Sequence, residues 1–468
     1  MPRIRGIVRE KGRAYPRRGT NSVPSGGRPG HRAVPTVAAM PTTSAFSLRR
    51  RIAGWTLTAV AVLLAAPVAI VAFLLAVSAA ASIPVAMAAA LGATALGCAV
   101  PAGLGARLAF RRRRAATLLV TGLLVGAVSL ASALTVFRPL EVRPVPLPPQ
   151  ATRYWTLSTG SRIAYTLTPG RGHRGAAPVV RLHGGPGTPG AGPDDLDRDL
   201  AARGFDVYTY DQLGSGRSER LSDPTGYTVA RQVADLEAIR TRIRAPKLIL
   251  VGSSWGATLA ASYMAEHPDN VAKAVFTSPG ALWAPEWKKS GEGDIWDRLT
   301  PRQRKRMDDL EASPRLIAWS VLMDVDPRAA HALVPDKEID PLFDELLSTV
   351  GSAATCHPER ALHEASSRAG FYSNQLISDD ALKVPDPRPA LRTVHAPALV
   401  LRGQCDYKRP EIAREYRDTI PGAALLQIPG AGHVIEAEQP ELYRTSVTAF
   451  LTDRPLPRTS PSTLGRQP

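Results

Sequence analysis

The sequence predicts an α/β protein: a doubly wound, mostly parallel sheet with a helical cap inserted into it, preceded by transmembrane helices. Three observations carry that expectation. Short apolar strands alternate with helix-period segments from residue 151 onward. A stretch of roughly 110 residues with no clear strand interrupts the alternation, too long for a plain loop. Long uncharged runs precede it.

The chain has 468 residues and a formal net charge of +17. That charge is local. Residues 1–114 hold 17 Lys/Arg against the single acid Glu10, whereas the rest holds 41 basic and 40 acidic residues. The globular part is therefore near neutral, which argues against nucleic acid as a partner. Residues 1–48 are rich in Arg, Pro, Gly and Ser without apolar period, so disorder is expected there. Met40, shortly before the arginines at 49–51, is a second candidate start beside Met1.

Residues 52–106 and 115–137 carry no charge. At ~1.5 Å per residue the second run spans ~35 Å, enough for one bilayer crossing, and the first is long enough for two. Its centre, Ser78 to Pro84, is small and broken by proline. The expectation is a membrane region over 49–137 with helices near 53–77, 84–108 and 115–137; a signal peptide would be shorter and single. Arginines at 49–51 and 111–114 mark the cytoplasmic loops, and both lie on one side only if two helices separate them. The expectation is a multi-pass protein of the cell membrane with residues 138–468 on the outer face. Residues 138–150, rich in proline, read as a stiff linker.

The elements then follow in order. Segments 154–157 and 162–167 read as a hairpin, and 178–182 and 205–210 as strands. Val229, Val233, Leu236 and Ile239 have helical spacing over 229–243. Strand 247–251 leads to helix 258–266 and strand 271–276. After residues 282–390, the cap, the pattern resumes with strand 396–402, helix 411–419, strand 423–428 and helix 442–451. The core thus falls in two parts, 151–281 and 391–453, with a loose tail over 454–468.

The chemistry centres on Gly252-Ser253-Ser254-Trp255-Gly256, where an apolar strand runs through Gly-x-Ser-x-Gly into a helix. That is the pattern of a nucleophile elbow. A serine hydroxyl is a poor nucleophile at neutral pH and needs a base, which in turn needs an orienting acid. The chain supplies Asp406 after one strand and His433, in Gly430-Ala431-Gly432-His433, after the next. The reading is Ser254 as nucleophile, His433 as general base then acid, and Asp406 as orienter. His183, His267 and His395 are competing histidines, and Asp211 ends a strand but precedes the serine. The oxyanion hole needs two converging N–H donors. Trp255 supplies one and Gly185, in His183-Gly184-Gly185-Pro186-Gly187, the other; Gly184 and Pro186 in the same loop are candidate substrate contacts.

Together, His183 to Gly187, Asp211-Gln212-Leu213-Gly214-Ser215-Gly216-Arg217-Ser218 and Gly252 to Gly256 resemble the proline iminopeptidase family of α/β-hydrolases, over roughly residues 150–452. The resemblance implies the same triad and oxyanion donors, a helical cap, and removal of N-terminal residues from short peptides through an acyl-enzyme. It implies a turn-holding role for Asp211 and Arg217, and cap carboxylates that bind the substrate's α-ammonium. In the matching cap segment, Ser366 to Asn374, Arg368 stands where an acid is expected; Glu286, Glu292, Asp294 and Glu364 are the carboxylates nearby. An esterase or amidase acting on a non-peptide substrate is the alternative, and a non-enzymatic membrane protein on a relict fold a third. Partners are then a small peptide, ester or amide and the lipid bilayer.

No metal-ligand spacing and no dinucleotide fingerprint is present, so neither cofactor nor metal is expected. Of three cysteines, Cys98 lies in a predicted membrane helix. Cys356 and Cys405 lie in the outer domain, either as a disulfide or as two free thiols.

Overall fold

The computed structural model describes residues 43–458 apart from 81, 110–112, 143–150, 172–176, 191 and 359–367. The expected disorder of the basic N-terminus up to residue 42, both candidate starts, most of the Pro-rich linker, part of the 111–114 arginine cluster, Glu364 and the tail from 459 lie outside the described residues.

The described residues form two compact units, one of 43–76 with 84–132, the other of 77–83 with 133–458. The first is made by α1 (Thr43–Ala80), α2 (Ile83–Ala109) and α3 (Arg113–Leu134), all long and apolar enough to cross a membrane. Its packing relies on small residues. A Cβ on Gly54 would lie 2.8 Å from the Gly105 carbonyl, and one on Gly105 would lie 2.7 Å from that of Gly54, so the α1 and α2 backbones touch there. Ala61, Ala65, Cys98 and Ala102 are buried, with Val120, Leu124 and Val128 against them. Small residues allow such close approach where no water drives association. Leu63, Leu96 and Leu118 point outward, each about three-quarters exposed.

The second unit is built on an eight-stranded sheet in the order β1-β2-β4-β3-β5-β6-β7-β8. β1 (Arg153–Thr156) and β2 (Arg162–Thr168) form an antiparallel hairpin, and β2 pairs antiparallel with β4 (Val207–Tyr210). β3 (Val179–Leu182), β4, β5 (Leu248–Ser253), β6 (Val271–Thr277), β7 (Ala398–Gly403) and β8 (Ala424–Ile428) run parallel. The central strands are buried on both faces, which is why 248–251 and 398–401 read as unbroken apolar runs.

Helices cover both faces. α4 (Asp195–Ala202) and α5 (Val229–Arg242) precede the elbow, and α6 (Trp255–Glu266) follows it. Between β6 and β7 lie α7 (Pro301–Glu311), α8 (Pro314–Val325), α9 (Pro327–Leu333), α10 (Asp336–Val350), α11 (Phe371–Ala381) and α12 (Arg388–Leu391). α13 (Pro410–Thr419), α14 (Ile435–Glu438) and α15 (Pro440–Leu451) complete the core. On one face, Leu196, Leu200, Val447 and Leu451 of α4 and α15 pack on Val179, Val251, Val275 and Leu401 of the sheet. Register brings the strand ends level: Leu182 pairs with Gly252, Ser253 with Thr277, Thr277 with Leu401 and Gly403 with Ile428. The loops after β3, β5, β7 and β8 therefore open on the same edge.

Two elements differ from expectation. α6 starts at Trp255 rather than at 258, because the Ser254 carbonyl already accepts from the Ala257 N–H at 3.0 Å. The chain just after α3, read as part of a stiff spacer, is fastened to the cap: Leu140 N–H donates to Glu338 at 3.1 Å.

Candidate active site

Ser254 occupies the turn between β5 and α6 at φ 52°, ψ −115°. Such a backbone is strained for a residue with a side chain. Neighbouring contacts hold it there. The Ser254 N–H donates to Thr277 O at 2.9 Å, and its carbonyl accepts from Gly280 N at 3.2 Å. The flanking glycines are demanded by space. A Cβ on Gly252 would run into the Gly256 carbonyl, and one on Gly256 into the Leu182 carbonyl. The first turn of α6 thus lies directly on the end of β3.

The loop after β3 packs against the nucleophile candidate. A Cβ on Gly184 would meet Ser254 Cβ at 3.3 Å and Oγ at 3.9 Å. Gly185 has φ +111°, open only to glycine, and its peptide to Pro186 is cis. Trp255 is the first residue of α6, where a backbone N–H has no intrahelical acceptor. Its indole donates to Gln212 Oε1 at 3.0 Å, and Gln212 Nε2 donates to the His183 carbonyl at 2.9 Å. The His183 ring lies in the same network. Its Nε2 accepts from Gln212 N at 2.9 Å, and its Nδ1 faces Gly184 O at 3.0 Å. Burial pushes this imidazole down to about 4, so at neutral pH it holds the loop as a neutral ring.

Asp406 and His433 meet at 2.8 Å, Oδ1 to Nδ1, and both are buried. Burial would raise the Asp406 carboxyl. The imidazole beside it and the Lys408 N–H at 3.0 Å outweigh burial and hold it below the ordinary carboxylate range. The Tyr407 ring packs on that of His433 at 4.5 Å. Among the described residues the Ser254 hydroxyl makes no hydrogen bond to His433.

The cap grips this edge at several points. Asn374, fully buried, donates to Pro186 O at 2.7 Å, and Gly370 N donates to Gly187 O at 2.7 Å. His433 N donates to Ala354 O at 2.7 Å. Cys356 and Cys405 are joined by a disulfide, so a cap residue is tied to the neighbour of Asp406. Glu438 accepts from Gly432 N at 2.6 Å and from Cys356 N at 2.9 Å, bridging the histidine loop and the cap. Gln212 and Asn374 lie inside segments the sequence singled out, but without an assigned role, and nothing in the local pattern marks Glu438.

The other residues fall outside the constellation. Asp211 accepts from Arg217 N at 2.7 Å, and burial lifts its carboxyl to about 6. The His267 ring packs on that of Tyr263 in a tilted arrangement. Of the cap carboxylates, Glu292 pairs with Lys408 at 2.7 Å, Glu286 lies 3.4 Å from Arg388, and Asp294 caps the turn at Trp296. The Arg368 side chain is exposed; its carbonyl accepts from Gly216 N and Arg220. Among the described residues no cluster of potential metal ligands occurs.

Comparison with known proteins bears on this geometry. The family model described as alpha/beta hydrolase fold matches residues 177–440. A proline iminopeptidase of Heyndrickxia coagulans is 27% identical over 294 residues, covering 63% of this chain and 96% of that protein. One from Flavobacterium johnsoniae is 25% identical over 284 residues, 59% of this chain and 89% of that protein. Among solved structures, a proline iminopeptidase of Mycobacterium smegmatis aligns over 65% of this chain and 98% of its own, with TM-score 0.42 and 22% identity. An esterase from a Rhodococcus species aligns over 65% and 100%, with TM-score 0.47 and 22% identity.

Proposed function

The chain belongs to the alpha/beta hydrolase fold family, and on that premise we propose that it is a membrane-anchored serine hydrolase removing N-terminal, proline-type residues from short peptides. Ser254 Oγ attacks the scissile carbonyl while its proton passes to His433 Nε2. The N–H groups of Gly185 and Trp255 receive the developing oxyanion. Protonated His433, held by Asp406, returns the proton to the leaving amine, and water then cleaves the acyl-enzyme by the reverse route. The observation that carries the reading is the 2.8 Å Asp406–His433 pair on the sheet edge that also presents Ser254 in its strained turn. The similarity to proline iminopeptidases supports the substrate class. Helices α1 to α3 anchor the protein, with the second unit on the outer face.

A second reading has its own support. Glu286, Glu292 and Asp294 are already engaged, and Arg368 is exposed at the cap segment. With these three candidate carboxylates taken, an ester or amide without a free amine is favoured. One panel separates the readings. Purified protein is labelled with a fluorophosphonate and assayed on a proline aryl-amide, its N-blocked form and p-nitrophenyl esters. The expected result is labelling and free-amine cleavage, both abolished by Ser254→Ala. Equal activity on blocked substrates assigns the esterase or amidase; absence of labelling rejects the hydrolase chemistry altogether.

A further inference from the structure

Helix α8 is apolar on both faces. Its inward face carries Arg315 and Trp319, 5% and 4% exposed, beside Leu316 and Leu322. Its outward face carries Ile317, Val321 and Val325, at 57%, 43% and 39% exposure. Spacings of four place these three in one stripe about 12 Å long. The exposed Asp324 borders the stripe, whereas a cap helix facing water would be expected to carry mostly polar side chains on that side.

The buried arginine fixes where this stripe sits. Arg315 donates to both oxygens of Glu338, at 3.0 and 3.1 Å, and to Leu333 O at 2.5 Å. Its remaining nitrogen donates to Val136 O at 2.8 Å, and Glu338 also accepts from Leu140 N at 3.1 Å. Val136 lies two residues beyond the end of α3, at most about 7 Å of extended chain. The start of α8 is therefore tied to the stretch of chain that directly follows α3, within the second unit. Ile317 follows Arg315 by two residues. The exposed apolar stripe thus falls on one of the two described cap helices, α8 and α10, that are hydrogen-bonded to the chain after α3.

We propose that the outward face of α8 docks on the outer leaflet of the bilayer, so that Ile317, Val321 and Val325 insert at the level of the lipid headgroups. A helix with an apolar face buries it to that depth when it lies in the interface plane. The proposal rests on the reading of α1 to α3 as membrane-spanning.

The test uses the full chain with Cys98 replaced by alanine and the native disulfide left oxidised, reconstituted in 3:1 phosphatidylcholine–phosphatidylglycerol vesicles. A single cysteine carrying an environment-sensitive fluorophore is placed at Ile317, Val321, Asp418 or Leu123. Quenching by a shallow nitroxide lipid is expected to be several-fold stronger at Ile317 and Val321 than at Asp418, on the distant helix α13, while aqueous iodide shows the reverse order. A deep nitroxide should quench Leu123 in α3. If Leu123 is quenched and Val321 behaves like Asp418, the docking is wrong and the anchor stands. If Leu123 is untouched, the membrane reading falls and the docking with it. Shielding of Val321 from both quenchers, growing with protein-to-lipid ratio, would instead assign the face to a second copy of the chain and overturn the proposal.

Discussion

Ser254 carries a backbone conformation that costs of order 1–3 kcal/mol for a residue with a Cβ, and the Thr277 and Gly280 contacts hold it there. Ser254→Gly should relax that strain. The expected outcome is a melting temperature roughly 1–4 °C higher than wild type with all fluorophosphonate labelling lost; an unchanged or lower melting temperature would show that the turn is not strained. His183 gives a pH signature. Its imidazole titrates near 4 in the folded chain, below the ordinary 6.5. Below about pH 6.5 the unfolded chain takes up a proton that the folded chain refuses, so stability falls from there down to about pH 4, by at most about 3 kcal/mol. Above that window the group has no effect. Urea unfolding at about pH 7 and pH 4.5 should show a smaller loss for His183→Asn than for wild type. Equal losses would place the titration elsewhere.

At the scale of elements, the site is a set of loops at the ends of parallel strands, pinned by the cap. The Cys356–Cys405 bridge closes a loop of sequence separation 49 and ties the segment before α11 to the loop after β7. In the chain-entropy account a loop of that length is worth up to about 4 kcal/mol. Reductant should lower the melting temperature of the wild type but leave a Cys356→Ser, Cys405→Ser double variant unchanged. Peptide mapping without reductant should recover the two cysteines linked. Two alkylatable thiols in the native protein would contradict the bridge. Because Cys405 precedes Asp406 directly, the reduced protein is also expected to lose kcat more than substrate affinity, as a looser acid–base pair requires.

The whole molecule couples three apolar helices to a near-neutral catalytic unit. Its basicity is confined to residues 1–114, which sets the expected orientation. A membrane-impermeant biotin reagent on intact cells should therefore modify lysines of the second unit, such as Lys305 on α7, and leave the N-terminal Lys11 unmodified until the membrane is broken. Labelling of Lys11 alone in intact cells would reverse the topology.

Much of this was legible in one dimension. The elbow could be read because its pattern is local: Gly252 answers a clash with the Gly256 carbonyl of the turn itself, although Gly256 answers one with Leu182 on β3. The order of Ser254, Asp406 and His433 after β5, β7 and β8 was readable because parallel register carries each strand end to the same edge. The apolar helices followed from length and charge. What the sequence could not decide depended on partners far apart along the chain. Asn374 reaches Pro186 across 188 positions, Arg315 reaches Val136 across 179, and the bridge joins cysteines 49 apart. Nor could it tell that α8 turns its arginine inward and its valines outward, since a periodic pattern names two faces and only packing says which one is covered. The sequence by itself determined the sheet, the elbow and the order of the candidate triad, because backbone sterics and strand period act over a few residues. The tertiary structure decided how the cap is fastened, which carboxylates are already paired, and which face remains open, because those depend on where the folded chain returns to itself.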